Sequence, residues 1–291
     1  MSQTPRPASA MQPILRMIRL PQFGLGPRIA LVVLLLIVLV TLFAPWLAPH
    51  DPLKMDPLMR LKGPIEGHPL GTDNFGRDIL SRVLIGARLS LLIGIATAVV
   101  SVVVGLVIGM VAGFFRTADA IIMRMMDGLM AIPSILLAIA LVALNGPSVG
   151  SVIAAITIPE IPRVVRLVRA VVLSAREEPY VEAAIALGSS MPKILIRHLV
   201  PNTLAPLIVQ GTYVLASAIL TEAILSFLGA GVSTETPTWG NIMAEGRMFF
   251  RIKPELILYP GLMLSLCILS INLLGDAARD MLDPRLKKRA G

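Results

Sequence analysis

The sequence predicts an all-α polytopic membrane protein with six transmembrane helices. Its 291 residues are 55% hydrophobic, and the mean hydropathy of +0.80 is far above that of a soluble domain. Several uncharged runs are long enough to cross a bilayer, and the basic residues gather at the ends of these runs. These observations favour a bundle of membrane helices.

Composition also argues against several classes of protein. The single cysteine, Cys267, lies in an apolar run, so neither a disulfide framework nor a cysteine-based metal site is expected. The formal charge of +8 does not indicate a nucleic-acid partner, because the basic residues flank apolar spans instead of forming one patch. Segments assigned to the cytoplasm hold 17 of the 26 lysines and arginines, which predicts that both termini are cytoplasmic.

The chain divides into a long membrane domain, residues 29–280, between two short cytoplasmic tails, residues 1–28 and 281–291. The uncharged run Ile29–Leu47 is longer than the apolar core of a signal peptide and predicts a retained first span. Residues 49–88, which are mixed in charge, form the first extracytoplasmic loop.

A polar stretch near the end of that loop precedes the second span. We expect Thr72 or Asp73 to cap a short helix that lies on the outer membrane face. Such a helix orients the next span, which is the favoured interpretation, or forms a lid or a docking element for a receptor. The residues that would serve the receptor side are Asp73, Gly76, Arg77 and Asp78.

The second span, residues 89–115, contains three glycines spaced by four. This spacing places them on one helical face, where another helix can approach closely. We therefore predict a helix-packing stripe formed by Gly105, Gly109 and Gly113.

The uncharged stretch between Asp127 and Glu160 is too long for one span and is divided at residues 145–148 into spans three and four. Arg124 and Asp127 are three residues apart and are expected to pair along one helix face. A basic helical face then emerges into the cytoplasm, formed by Arg163, Arg166 and Arg169.

The fifth span, residues 203–221, is followed directly by Glu222. A carboxylate so near the membrane is costly unless it is paired or faces an aqueous cavity. Glu222 is therefore a candidate residue of the transport pathway, with an interfacial position as the alternative. Residues 230–255 form a second outer loop, and Leu256–Gly275 is the sixth span.

The polar stretch 175–201, between spans four and five, reads as two short helices with a kink. Pro179 suits a first helical turn, Gly188 can end a helix with a positive φ, and Ser190 can cap a second helix that has Pro192 in its first turn. The first helix has a thin surface that can enter a groove on another protein, because it is built from Ala183, Ala184 and Ala186.

This stretch carries a Glu-Ala-Ala pattern at residues 182–184 and His-Leu-Val-Pro at residues 198–201, and it resembles the EAA loop of ABC importer permeases. Val200 and His198 stand where the family pattern has Leu and Ile, and the Arg-His pair looks like the dipeptide and oligopeptide branch. The resemblance implies that the stretch couples the bundle to a cytoplasmic ATPase through Glu182, Ala183, Ala184, Gly188, Pro192, Arg197, His198 and Pro201. An ordinary amphipathic loop is the alternative.

A second stretch, Gly-Thr-Asp-x-x-Gly-Arg-Asp from Gly71, is similar to one in C-type subunits of peptide permeases. The resemblance implies a type I importer fold in the bacterial inner membrane, a heterodimer with a second homologous permease, and an extracytoplasmic binding protein that delivers dipeptides or oligopeptides. Two partner ATPase subunits would bind ATP and Mg²⁺. Nickel, glutathione and opine-like substrates remain open.

The chain lacks the chemistry of an enzyme. It has no Gly-Lys dipeptide and so no usual P-loop, and it is expected to bind no cofactor by itself. No metal site is expected either, because its three histidines lie outside the predicted spans without ligand spacing: His50, His68 and His198. The competing class, an ATP-independent carrier or channel, predicts paired titratable groups inside the spans, which are almost free of them.

Overall fold

The computed structural model describes residues 24–233 and 235–282, and all regular secondary structure within them is helical. Most of each predicted tail, residues 1–23 and 283–291, lies outside the described residues. In chain order the helices are α1 (Leu25–Leu47), α2 (Ile79–Phe114), α3 (Arg116–Ala131), α4 (Ser134–Asn145), α5 (Val149–Arg176), α6 (Pro179–Ala186), α7 (Met191–Phe227), α8 (Trp239–Gly246) and α9 (Glu255–Leu282).

Four of these helices, α1, α2, α7 and α9, are long and apolar enough to cross a membrane. The pair α3 and α4 passes the same test only as a unit, and its two helices meet at an angle of 90°. The remaining long helix, α5, has 28 residues but carries a buried Glu160 and several arginines. The units that match the six predicted spans therefore include one sharply bent pair and one charged helix.

The bend between α3 and α4 contradicts the prediction of one continuous third span. Pro133 lacks a backbone N–H and disfavours a helical conformation in the residue before it. Ile132 accordingly has φ −90° and ψ 128°, which is extended backbone, and α4 begins immediately after the proline. A single proline thus ends α3 and redirects the chain.

Helix α2 begins earlier than the sequence predicts. Asp78 is its N-cap, and the carboxylate accepts a hydrogen bond of 2.7 Å from the backbone N–H of Ser81. The expectation of a separate short helix capped by Thr72 or Asp73 is therefore wrong, because Ile79 already starts a continuous helix of 36 residues. At 1.5 Å per residue, α2 is about 54 Å long.

The three glycines of α2 face α5. A Cβ atom built at Gly105, Gly109 or Gly113 would lie 2.5–2.7 Å from the Cβ atom of the facing valine. These valines, which are fully buried, are Val164, Val168 and Val172. The absence of side chains on α2 allows the two backbones to approach closely along this seam.

Ion pairs join α3 to α5. Arg166 donates to Asp127 at 2.6 Å, and Arg169 donates to Asp119 at 2.5 and 2.6 Å. The predicted pairing of Asp127 with Arg124 is therefore wrong, because the fold brings an arginine of α5 to the same carboxylate. Two of the three arginines of the predicted basic face thus bind acids of α3.

Candidate functional site

Two polar regions lie at opposite ends of α2. One is the short helix α6 with the start of α7, which follows the C-terminal end of α5. The other is formed by residues 49–78 and α8, which surround the N-terminal end of α2. Because Gly113 near the end of α2 faces Val172 near the end of α5, the length of α2 separates the two regions.

Helix α6 ends in the manner that the sequence predicts. Gly188 has φ +75°, and its N–H donates to the carbonyl oxygen of Ile185 at 2.9 Å. The N–H of Ser189 donates to the carbonyl oxygen of Ala184 at 3.0 Å, which completes a Schellman motif. A Cβ atom at Gly188 would meet nothing within 4 Å, so backbone conformation alone favours glycine here.

One face of α6 is buried and the other is open. Val181 and Ala184 pack against the rest of the chain, at 0% and 8% exposure. The prediction that Ala184 leaves room for a partner's groove is therefore wrong, because its methyl group faces this chain. The exposed face carries Glu182, Ala183 and Ala186, and Leu187 beside them is 86% exposed.

The second predicted short helix is the beginning of α7. Ser190 occupies its N-cap position without a side-chain hydrogen bond, and Pro192 lies in its first turn. A π-helical turn, Leu195–Leu199, then continues into the rest of α7. Such turns are rare and widen the backbone locally. The predicted pair of short helices is thus one short helix followed by a long one.

Asn202 ties this turn to α6. Its side-chain amide donates to the carbonyl oxygen of His198 at 2.6 Å and to the hydroxyl of Tyr180 at 2.7 Å. His198 is partly buried near the Tyr180 ring. The other residues predicted to meet an ATPase from this part are exposed, namely Pro192, Arg197 and Pro201.

At the other end of α2 four charged side chains meet, and we call them the charge cluster: Asp73, Arg77, Arg82 and Glu245. The Nε atom of Arg77 donates to Asp73 at 2.7 Å, and Arg77 also contacts Glu245. Arg82 lies 3.1 Å from Glu245 and 3.4 Å from Asp73. Both arginine side chains are at most 3% exposed, and the two carboxylates balance their charge.

The residues predicted for a receptor are structural in this fold. Asp73, Gly76, Arg77 and Asp78 are all buried, and Asp73 also accepts hydrogen bonds from the backbone of Phe75 and Arg77. A Cβ atom at Gly76 would lie 1.8 Å from the carbonyl oxygen of Asp56, so only glycine fits. The prediction of a docking contact is therefore wrong for these side chains.

Lys253, which lies just before α9, contacts the same region. Its ammonium group donates to the carbonyl oxygen of Lys62, and the residue is 4% exposed. Burial lowers the pKa of Lys253 because the charged form loses water. Residues 49–78 are thus held to the segment between α8 and α9.

Comparison with known proteins identifies the family. Residues 101–288 match the model of the binding-protein-dependent transport system inner membrane component. The chain belongs to this family. Residues 28–64 match the N-terminal TM domain of oligopeptide transport permease C.

Relatives of this membrane component cover most of its length. It is 55% identical to a probable peptide ABC transporter permease protein of Sinorhizobium fredii over 251 residues, 86% of each chain. It is 42% identical to the dipeptide transport system permease protein DppC of Escherichia coli over 270 residues, 90% of each chain. A solved structure of the MetNI methionine ABC transporter aligns with a TM-score of 0.48 at 21% identity, covering 67% of this chain and 94% of that one.

The membrane component encloses Glu222. The residue is 0% exposed, and its carboxylate accepts from the hydroxyl of Ser226 at 2.8 Å and lies 3.3 Å from that of Ser90. The Ser90 hydroxyl in turn accepts from the backbone N–H of Trp239 at 3.2 Å. Glu222 therefore joins α2, α7 and α8, and the prediction that it lines a pathway is not supported by its position in this chain.

Sequence reasoning missed two carboxylates of this component. Glu245 completes the charge cluster, and the available signal was a lone acid in the otherwise uncharged α8. Glu160 accepts from the hydroxyl of Ser217 at 2.9 Å and from Arg163 at 3.2 Å. Nothing in the local sequence pairs Glu160 with a serine on another helix.

Proposed function

We propose that this chain is a permease subunit of an ATP-driven importer for dipeptides or oligopeptides. The observation that carries the coupling role is the exposed face of α6 beside the Gly188 turn. The family assignment supports the transport role, and the names of the relatives, which include peptide and dipeptide permeases, support the substrate class.

In this proposal α6 rests on a cytoplasmic ATPase subunit, and both termini lie on the same side. The small side chains of Ala183 and Ala186 allow close approach, and the exposed Leu187 offers an apolar contact. Glu182 lies in the first turn of α6, where the helix dipole favours a negative charge. The surface therefore suits a groove that combines apolar walls with a basic side chain.

The remaining partners of the proposal follow from the family resemblance. A second homologous permease forms the other half of the pathway, two ATPase subunits bind ATP and Mg²⁺, and an extracytoplasmic binding protein delivers the peptide. Closure of the ATPases moves α6, and α5 and α2 carry this movement because their seam is packed without space between Gly109 and Val168.

The test uses two variants of the exposed turn in the complete transporter, co-expressed with its partner subunits and reconstituted in lipid. Gly188→Val forces a β-branched residue to φ +75°, a strain of about 1–3 kcal/mol. Glu182→Lys reverses an exposed charge. Both should abolish the stimulation of ATP hydrolysis by binding protein and peptide, while the chain still folds and inserts.

Matched controls are Gly63→Val and Glu66→Lys. Both residues are exposed in the segment 49–78, and a Cβ atom at Gly63 meets nothing within 4 Å. These controls should leave stimulated hydrolysis unchanged. Full stimulation and uptake in the Gly188 and Glu182 variants would refute the coupling role. Uptake that continues without the ATPase subunits would instead indicate an ATP-independent carrier, and competition by Ni²⁺ but not by peptides would refute the substrate class.

A further inference from the structure

Two histidines and an aspartate that are far apart in the sequence meet beside the N-terminus of α2. They are His50, His68 and Asp78, and one potential ligand atom from each lies within 4.8 Å of the other two. The Nδ1 atom of His68 is 2.9 Å from Oδ1 of Asp78. The two imidazole rings stack with their centroids 4.4 Å apart.

His50 has a ring nitrogen that the described residues leave without a partner. Its Nδ1 atom is buried and accepts or donates no hydrogen bond there. The backbone of the same residue is fixed, because its N–H donates to the Ser81 hydroxyl at 3.0 Å. A buried imidazole nitrogen without a partner is costly, so a ligand at this position would remove an existing penalty.

The two carboxylate oxygens of Asp78 have different partners. The Oδ2 atom accepts from the backbone N–H and the hydroxyl of Ser81, both at 2.7 Å, and thereby caps α2. The Oδ1 atom is directed at His68 instead. The side chain is fully buried, and the Oδ1 atom, which has only His68 as a partner, remains available to a cation.

We propose that His50, His68 and Asp78 bind one Zn²⁺ ion. Two imidazoles and one carboxylate are a donor set that suits Zn²⁺ and leaves a fourth position for water. Mg²⁺ and Ca²⁺ prefer oxygen ligands and fit this set poorly. The ion would tie the residues that follow α1 to the start of α2.

Binding requires one rearrangement. A metal ion lies in the plane of each imidazole that holds it, whereas the two rings now stack with an angle of 18° between their planes. His68 is the ring that turns, because its neighbours Glu66 and Gly67 are exposed and its own side chain is 15% exposed. Its hydrogen bond to Asp78 is then replaced by a shared bond to the ion.

The experiment measures Zn²⁺ binding to the full-length chain in lipid nanodiscs, purified with a tag that contains no histidine. Competition with a fluorescent chelator should show one site per chain that millimolar Mg²⁺ does not displace. His50→Gln and His68→Gln should each weaken binding about tenfold or more. Asp78→Asn should also weaken it, and Asn still caps the helix. Glu66→Gln removes an exposed neighbouring acid and should leave binding unchanged.

A second measurement distinguishes loss of Zn²⁺ binding from poor folding of a variant. Zn²⁺ should raise the unfolding temperature of the unaltered chain and of Glu66→Gln, but not that of the two histidine variants, whose folding is first checked without metal. The proposal is overturned if the His50→Gln, His68→Gln double variant binds Zn²⁺ as tightly as the unaltered chain. It is also overturned if the unfolding temperature responds to protonation of the histidines and not to Zn²⁺.

Discussion

Gly109→Ala tests whether the seam between α2 and α5 is packed as tightly as its geometry indicates. The added methyl group would lie 2.7 Å from the Cβ atom of Val168 and 2.9 Å from the carbonyl oxygen of Val165. Carbon atoms in good contact are about 3.5–4.0 Å apart, so the helices must separate by about 1 Å. Overpacking costs about 1–3 kcal/mol, and the better helix propensity of alanine returns at most about 1 kcal/mol.

We therefore expect Gly109→Ala to lower the free energy of unfolding by roughly 1–2 kcal/mol, and Gly109→Leu to lower it further. The assay is unfolding by SDS in mixed micelles, followed by tryptophan fluorescence, to which Trp239 contributes because it is 1% exposed in the folded chain. The matched control is Gly128→Ala in α3. A Cβ atom at Gly128 meets nothing within 4 Å, so this change should be neutral or stabilising.

Gly109→Ala should lower the free energy of unfolding, whereas Gly128→Ala should not, and this difference is what the test measures. If Gly109→Ala and Gly128→Ala shift the unfolding transition equally, glycine content and not close packing explains the result. If Gly109→Leu gives normal unfolding and normal uptake, the glycine stripe does not form a helix contact, and the described seam is wrong.

Two further predictions concern the other end of α2 and the orientation of the chain. Glu245→Gln should lower the free energy of unfolding by about 3–5 kcal/mol, because Arg77 and Arg82 are then left buried with Asp73 alone; a loss no larger than that of Glu66→Gln would contradict the cluster. In intact cells a membrane-impermeant thiol reagent should label a cysteine at residue 66 but not one at residue 187. The buried Cys267 should not react, and labelling at residue 187 would reverse the proposed orientation.

Features that depend on neighbouring residues were predictable from the sequence. The Gly188 turn follows from a glycine after an alanine-rich helix, and its φ of +75° agrees. The apolar runs likewise predicted α1, α2, α7 and α9. The glycine spacing predicted which face of α2 would pack, although not that α5 would supply the partner valines. Local chemistry therefore determines helices and their ends well.

Contacts between distant residues were not predictable, because the competing local partner was always nearer in the sequence. Asp127 has Arg124 within one helical turn, yet the fold pairs it with Arg166. His50 and His68 show the same effect. Asp51 and Glu66 are close to them in the sequence, whereas the fold brings both histidines to Asp78. Glu245 could be assigned to Arg77 and Arg82 only after α8 was placed against α2.

The two ends of α2 are stabilised in different ways, and this difference supports the proposed coupling role of α6. At the N-terminal end, buried ion pairs and the Asp78 cap hold residues 49–78 and α8 to α2. At the other end, α6 buries only Val181 and Ala184. A segment with few buried apolar contacts opens at low cost, and its exposed surface is free for another molecule. The arginines of the charge cluster, by contrast, are buried. The exposed surface of α6 is therefore the one that our proposal assigns to a partner.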